Sequence, residues 1–190
     1  MFTRRKSKPD NDAQSVFEEL VRRHEASIYR VAYRLTGNHE DAEDLVQEAL
    51  LEAYESFGRF KLGTYFDRWL FRILRNTYID GTRARPRLAM QSLDEPVETE
   101  EGTQAKREIV DWSNHPETRM LAATLDEPIQ QALLALPEDF RLVVILSDIE
   151  GLSYEEVSQI VGCPVGTVRS RLHRGRLLLK DKLQAYVAGS

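Results

Sequence analysis

The sequence predicts an all-α protein made of two small helical domains joined by a flexible acidic linker. From Ala13 to about Arg85 the apolar residues recur at helical spacing, and no strand-like alternation lasts long enough to compete. Between Pro86 and about His115 the texture changes: LDEPVETEEGTQ holds two turn breakers, five acids and few large apolar groups. Such a segment buries too little surface to offset its ordering entropy. Helical spacing resumes near Thr118, which divides the chain into a basic tail (1–12), a first domain (13–85), a linker (86–117) and a second domain (118–188).

In the first domain, Gln14 to Leu35 places Val16, Leu20, Ile28, Val31 and Leu35 on one broad face. From Asn38 to Phe57, the residues Ala42, Leu45, Val46, Ala49, Ala53, Tyr54 and Phe57 form an i, i+3, i+4 stripe. Asp67 to Asp80 makes a third helix. In the second domain, Leu121, Leu125, Ile129, Leu133 and Leu136 share a helical face, and Pro137 followed by Glu138 and Asp139 opens the next helix. The run LVVIL, Leu142 to Leu146, has the composition of a buried strand, but its flanks argue for helix.

The last element pair is the most specific. In LSYEEVSQIVGCPVGTVRSRL, Ser153 and Glu156 fit a capping box, and Val157, Ile160 and Val161 give a short helix its apolar face. Gly162 ends that helix and Pro164 starts another, whose inward stripe is Val165, Val168, Leu172 and Leu179. Arg169, Ser170, Arg171, His173, Arg174 and Arg176 are left outside. A short capped helix, a glycine turn and a second helix with a basic outer face is the helix-turn-helix pattern, in which the second helix enters the major groove. A solvated basic face is the ordinary alternative, and the absence of any acid from Gly162 to Lys180 argues against it.

Composition narrows the chemistry. With 190 residues, 42% of them hydrophobic and 30% charged, the chain suits one ordinary domain or two small ones. The single cysteine, Cys163, permits neither an internal disulfide nor a cysteine-based metal site, which points to the reducing cytoplasm. The four histidines lack ligand spacing, no histidine, serine or cysteine constellation suggests catalysis, and no metal or cofactor is expected. MFTRRKSKPDND is basic with no apolar run behind it, so neither a secretory signal nor membrane insertion is expected. A net charge of −5 repels DNA at long range, so any DNA binding must be local or assisted by a partner. One helix is notably acidic: Asp41, Asp44, Gln47, Glu48, Leu51 and Glu55 share the face opposite its apolar stripe, with Leu51 among the acids. That leucine is either an ordinary exposed residue or part of a protein interface.

DAEDLVQEALLEAYESFGRF, followed by RWLFRILRNTYID and then by LPEDFRLVVILSDIEGLSYEEVSQIVGCPVGTVRSRLHRGR, resembles a bacterial sigma factor of the extracytoplasmic-function kind, group 4 of the sigma-70 family. The resemblance covers about Ala13 to Arg85 and Thr118 to Val187. It implies a sigma-2 helical bundle followed by a sigma-4 helix-turn-helix, and a role in promoter-specific initiation by RNA polymerase. Asp44, Gln47 and Glu48 match the family's D-x-x-Q-E pattern, which implies that they and Leu51 dock the beta-prime clamp helices of the polymerase core. The loop Phe60 to Phe66 and the following helix resemble the part that opens the −10 element. Trp69, Arg72 and Asn76 match W-L-x-R-I-x-x-N, and Tyr65 and Phe66 become candidate stacking groups, although Leu62 stands where relatives often carry glycine. The helix-turn-helix resembles the −35 reader, with Thr167, Arg169, Ser170, Arg171, His173, Arg174 and Arg176 towards DNA. The partners implied are core polymerase (beta-prime clamp helices and beta flap), promoter DNA and an anti-sigma factor.

Two rivals remain at this level. A repressor or response-regulator effector would share the helix-turn-helix but would need a dimer interface or a receiver domain, and the first half suggests neither. A small helical enzyme or a pure interaction protein would require a catalytic constellation or no DNA reader.

Overall fold

The computed structural model describes residues 11–91 and 127–188, with side chains described over 13–82 and 127–184. The predicted tail up to residue 10, most of the predicted linker and the stripe residues Leu121 and Leu125 lie outside the described residues, while Asn11 and Asp12 of the predicted tail begin the first helix. Every regular element described is helical.

Three helices form the first unit: α1 (Asn11–Thr36), α2 (His39–Ser56) and α3 (Phe66–Gln91), with a 3-10 turn at Phe57–Arg59. The α1–α2 turn is tight because Gly37 takes a φ of 86°, and Asn38 caps α2 by accepting from the Asp41 N–H at 2.8 Å. The predicted stripe of α2 is the buried one, through Ala42, Leu45, Val46, Ala49 and Ala53. The α1 stripe departs from expectation at its start. Phe17 and Val21 are buried while Val16 points outward, because Phe17 fills an aromatic nest with Tyr54, Phe57 and Phe66. The third helix also runs past its predicted end at Asp80, with Pro86 inside it.

The second unit comprises α4 (Glu127–Leu134), α5 (Glu138–Val144) with a π-helical turn at Ile145–Ile149, α6 (Tyr154–Val161) and α7 (Val165–Ala188). LVVIL is helical, as its flanks suggest, and Leu142 to Leu146 are all buried. Leu142 to Val144 are buried in the regular helix, and Ile145 and Leu146 in the wider turn that follows it, which is closed by the Glu150 N–H on the Ile145 carbonyl at 3.0 Å. Pro137 precedes α5 as expected, and α6 carries both bonds of the predicted capping box.

The two units are packed together. One buried cluster runs from Phe17 through Leu74 to Leu172, with α1 against α4 and α3 against α6. Leu134 of α4 sits over Gly37 so closely that a Cβ there would lie 2.4 Å from its Cδ1. No helix among the described residues is long and apolar enough to cross a membrane.

Candidate functional site

Three surfaces collect the residues singled out by sequence. The first is the outer face of α7. Gly162 ends α6 in the left-handed conformation, φ 70°, and the Pro164 carbonyl accepts from Thr167 and Val168, so the turn enters α7 directly. Val168 and Leu172 anchor the helix inward, and Arg169, Ser170, His173 and Arg174 are exposed.

The seven candidate positions of α7 are not equivalent. Arg176 pairs bidentately with Asp148 at 3.0 and 2.5 Å, which raises its pKa above the usual arginine value. Arg171 donates to Asp139 at 2.6 Å and lies 4.0 Å from the Cys163 Sγ. Ser170 donates to the Thr167 carbonyl at 2.9 Å. Arg169 lies 5.9 Å over the Tyr154 ring, a contact that leaves its donors available. Two of the four arginines are therefore committed to acids of α5 and the π turn, which fastens α7 to its own unit.

The second surface is the acidic face of α2. Asp44, Gln47 and Glu48 are exposed and Leu51 is half-buried. Asp41, Asp44 and Glu48 line a cleft of about 520 Å³ whose opposite wall is Leu134, Glu138 and Arg141 of the second unit. A negative face of this kind suits a basic partner, for which charge complementarity sets register and encounter rate.

The third surface lies where the 57–65 segment meets α3. Trp69, Arg72 and Asn76 converge on a cavity of about 360 Å³. Arg59, Phe60, Lys61 and Thr64 join them, with Glu52 from α2. Trp69 is half-buried, stacked at a tilt against Phe60 with ring centroids 4.9 Å apart. An aromatic floor ringed by cations and one amide is chemistry for an unstacked nucleotide. The basic pair Arg59 and Lys61 around Phe60 carried this signal in the sequence, but only the fold turns both towards the cavity.

The two loop aromatics part company. Tyr65 is 65% exposed, with the Arg68 guanidinium 3.5 Å from its ring centroid. Phe66, expected as a stacking group in the loop, is instead the first residue of α3 and only 2% exposed. It is packed among Phe17, Phe57, Phe60 and Trp69, so no base can reach it. No cluster of metal-ligating side chains occurs among the described residues.

Comparison with known proteins matches both units. Residues 20–88 match the family described as Sigma-70 region 2, and residues 126–179 match Sigma-70, region 4. The ECF RNA polymerase sigma factor SigE of Mycolicibacterium smegmatis is 42% identical over 174 residues, a match covering 92% of this chain and 64% of that relative. SigW of Bacillus subtilis, another ECF sigma factor, is 37% identical over 171 residues, covering 90% of each chain. Among solved structures, the sigma factor RpoE from Bartonella quintana, crystallised with the anti-sigma factor NepR, superposes with a TM-score of 0.69 at 29% identity. That match covers 90% of this chain and 98% of that one.

Proposed function

Because the chain belongs to the extracytoplasmic-function group of the sigma-70 family, we propose that it binds core RNA polymerase and directs initiation at promoters that it reads at two separated elements. The observation that carries this is the pairing, in one chain, of the α3 cavity with the basic outer face of α7, one in each of the two matched regions.

The roles proposed for individual residues are those the family resemblance implies, and the geometry of the three surfaces supports them. Asp44, Gln47, Glu48 and Leu51 dock the beta-prime clamp helices. The cavity of Trp69, Arg72 and Asn76, with Tyr65 beside it, receives an unpaired base of the −10 element, where aromatic and cationic contacts recover the few kcal/mol that unstacking costs. Arg169, Ser170, His173 and Arg174 of α7 meet the −35 element in the major groove, with Thr167 near the helix start. Arg171 and Arg176 serve first as struts of that helix. The chain performs no chemistry of its own, since the polymerase carries the nucleotidyl transfer, and it acts in the cytoplasm where that enzyme works. An anti-sigma factor controls it, as the RpoE relative's co-crystal with NepR suggests.

In vitro transcription from a randomised promoter library tests the proposal. Core polymerase with this protein should yield transcripts whose upstream regions converge on two spaced motifs, and D44K/E48K should abolish them. Transcription indifferent to the protein would return the helix-turn-helix to the repressor reading.

A further inference from the structure

The cavity beside α3 carries one group at odds with the rest of its wall. Arg59, Lys61, Arg72 and Asn76 all offer hydrogen-bond donors, whereas Glu52, reaching it from α2, is the single acid on that wall among the described residues. Affinity for nucleic acid comes mainly from cations that meet phosphate. An acid in such a place repels the backbone, and so weakens binding to every sequence alike.

Glu52 is not committed to the fold. It is exposed, and it forms no ion pair among the described residues, although Arg59, Lys61 and Arg72 line the same cavity. Its hydrogen bond from the Thr77 hydroxyl is long, 3.4 Å, and that hydroxyl also donates to the Ile73 carbonyl at 3.1 Å. A hydroxyl has a single hydrogen, so the shorter bond leaves the carboxylate open to another donor. Asn76 of α3 has the opposite polarity. Its Oδ1 accepts from the Arg75 Nη1 at 2.9 Å, and because a guanidinium only donates, the Asn76 amide nitrogen is what remains for a ligand.

An acceptor from α2, donors from α3 and the aromatic rings of Trp69 and Phe60 line one cavity. We propose that Glu52 is a specificity-determining residue there, accepting from the exocyclic amine of an unstacked base while Asn76 and Arg72 donate to the ring nitrogen beside that amine. An amine next to an unprotonated ring nitrogen is the Watson–Crick edge of cytosine and of adenine, the edge by which an extruded base is read. Thymine has no exocyclic amine and sets a carbonyl oxygen on either side of its ring N–H, so the carboxylate meets like charge. Guanine carries its amine beside a ring N–H, which leaves the α3 donors unpaired. The acid thus gives up general affinity for discrimination: it repels phosphate and thymine, and it holds an amine. The assignment rests on the reading of the cavity as the −10 base site.

In vitro transcription by core polymerase with the full-length protein, from the randomised library, tests it position by position, with the upstream motif as internal control. One position of the downstream motif should favour cytosine or adenine over thymine by about tenfold, the discrimination of one good polar contact. E52A should level that position alone, and E52K, which replaces the acceptor by a donor, should invert it towards thymine or guanine. Glu52 is exposed, so both variants keep the fold, and an unchanged upstream motif verifies this. Promoters carrying pyrimidinone in place of cytosine, or unsubstituted purine in place of adenine, lack only the amine. That loss should cost the parent about tenfold and E52A nothing, and the analogue that has the effect identifies the base. An E52A library with the parent's preference at every position, or an amine deletion that costs both proteins equally, would overturn the role of Glu52. N76A distinguishes the two levels: if it alters one downstream position while E52A alters none, the cavity reading stands and Glu52 is dismissed, and if neither alters any, both fall.

Discussion

Arg174 and Arg176 are two positions apart on the same basic helix, yet they are built for different work. Both are exposed, but Arg176 is locked bidentately onto Asp148. R174A should therefore weaken promoter binding, by about 1 to 3 kcal/mol if it pairs bidentately with a base and with a smaller salt slope if it meets phosphate. R176A should lower the melting temperature and leave the −35 preference unchanged. A gel-shift salt series beside a thermal melt distinguishes the two. The sequence placed both residues on the outer face, and there they are. It could not separate them, because Asp148 is 28 positions away and reaches α7 only through the π turn. The same limit applies to Phe66 and Tyr65, adjacent aromatics of which one is core and one is surface. Burial is decided by Phe17, almost fifty residues upstream, which draws Phe66 inward.

At the scale of elements, what was legible was local. The α2 stripe, the Ser153–Glu156 box, the Gly162 turn and the Pro137 helix start each rest on residues within one or two turns, and all occur. The π turn and the continuation of α3 through Pro86 do not follow from local preference, since proline disfavours a helix interior. The capping box also yields a pH dependence. The Ser153 backbone N–H, foremost, holds the Glu156 carboxyl below its ordinary 4.5, with Arg68 adding to the effect. A folded pKa below the unfolded one contributes stability that is present at neutral pH and lost as pH falls through the folded value. Thermal melts below about pH 4.5 should thus fall more steeply for the parent than for E156Q. S153A should cost about 1 kcal/mol at neutral pH. Parallel curves for parent and E156Q would mean that the cap carries no linkage.

Across the whole molecule, the sequence separates two helical units and says nothing of their union. Arg30 donates to both carboxylate oxygens of Glu150 across the two units, but the residues are 120 positions apart and each reads locally as an ordinary charged position beside apolar ones, so nothing in either window marks it as a partner. Gly37 likewise signals only a turn, although it is also the seat for Leu134. The joined core matters energetically, because domains of about 60 residues bury only about 60% of the surface their unfolded chain exposes, less than larger domains do, and are marginal alone. Sharing one buried cluster lets each unit cover apolar area that it would otherwise expose. The free chain should accordingly unfold in a single calorimetric transition with matching calorimetric and van't Hoff enthalpies. E150Q leaves Arg30 without its carboxylate and loosens the joint, so it should split that transition into two, the units melting separately. Two transitions already in the parent would mean that the shared core contributes little to cohesion, and that each unit is stabilised by its own helices alone.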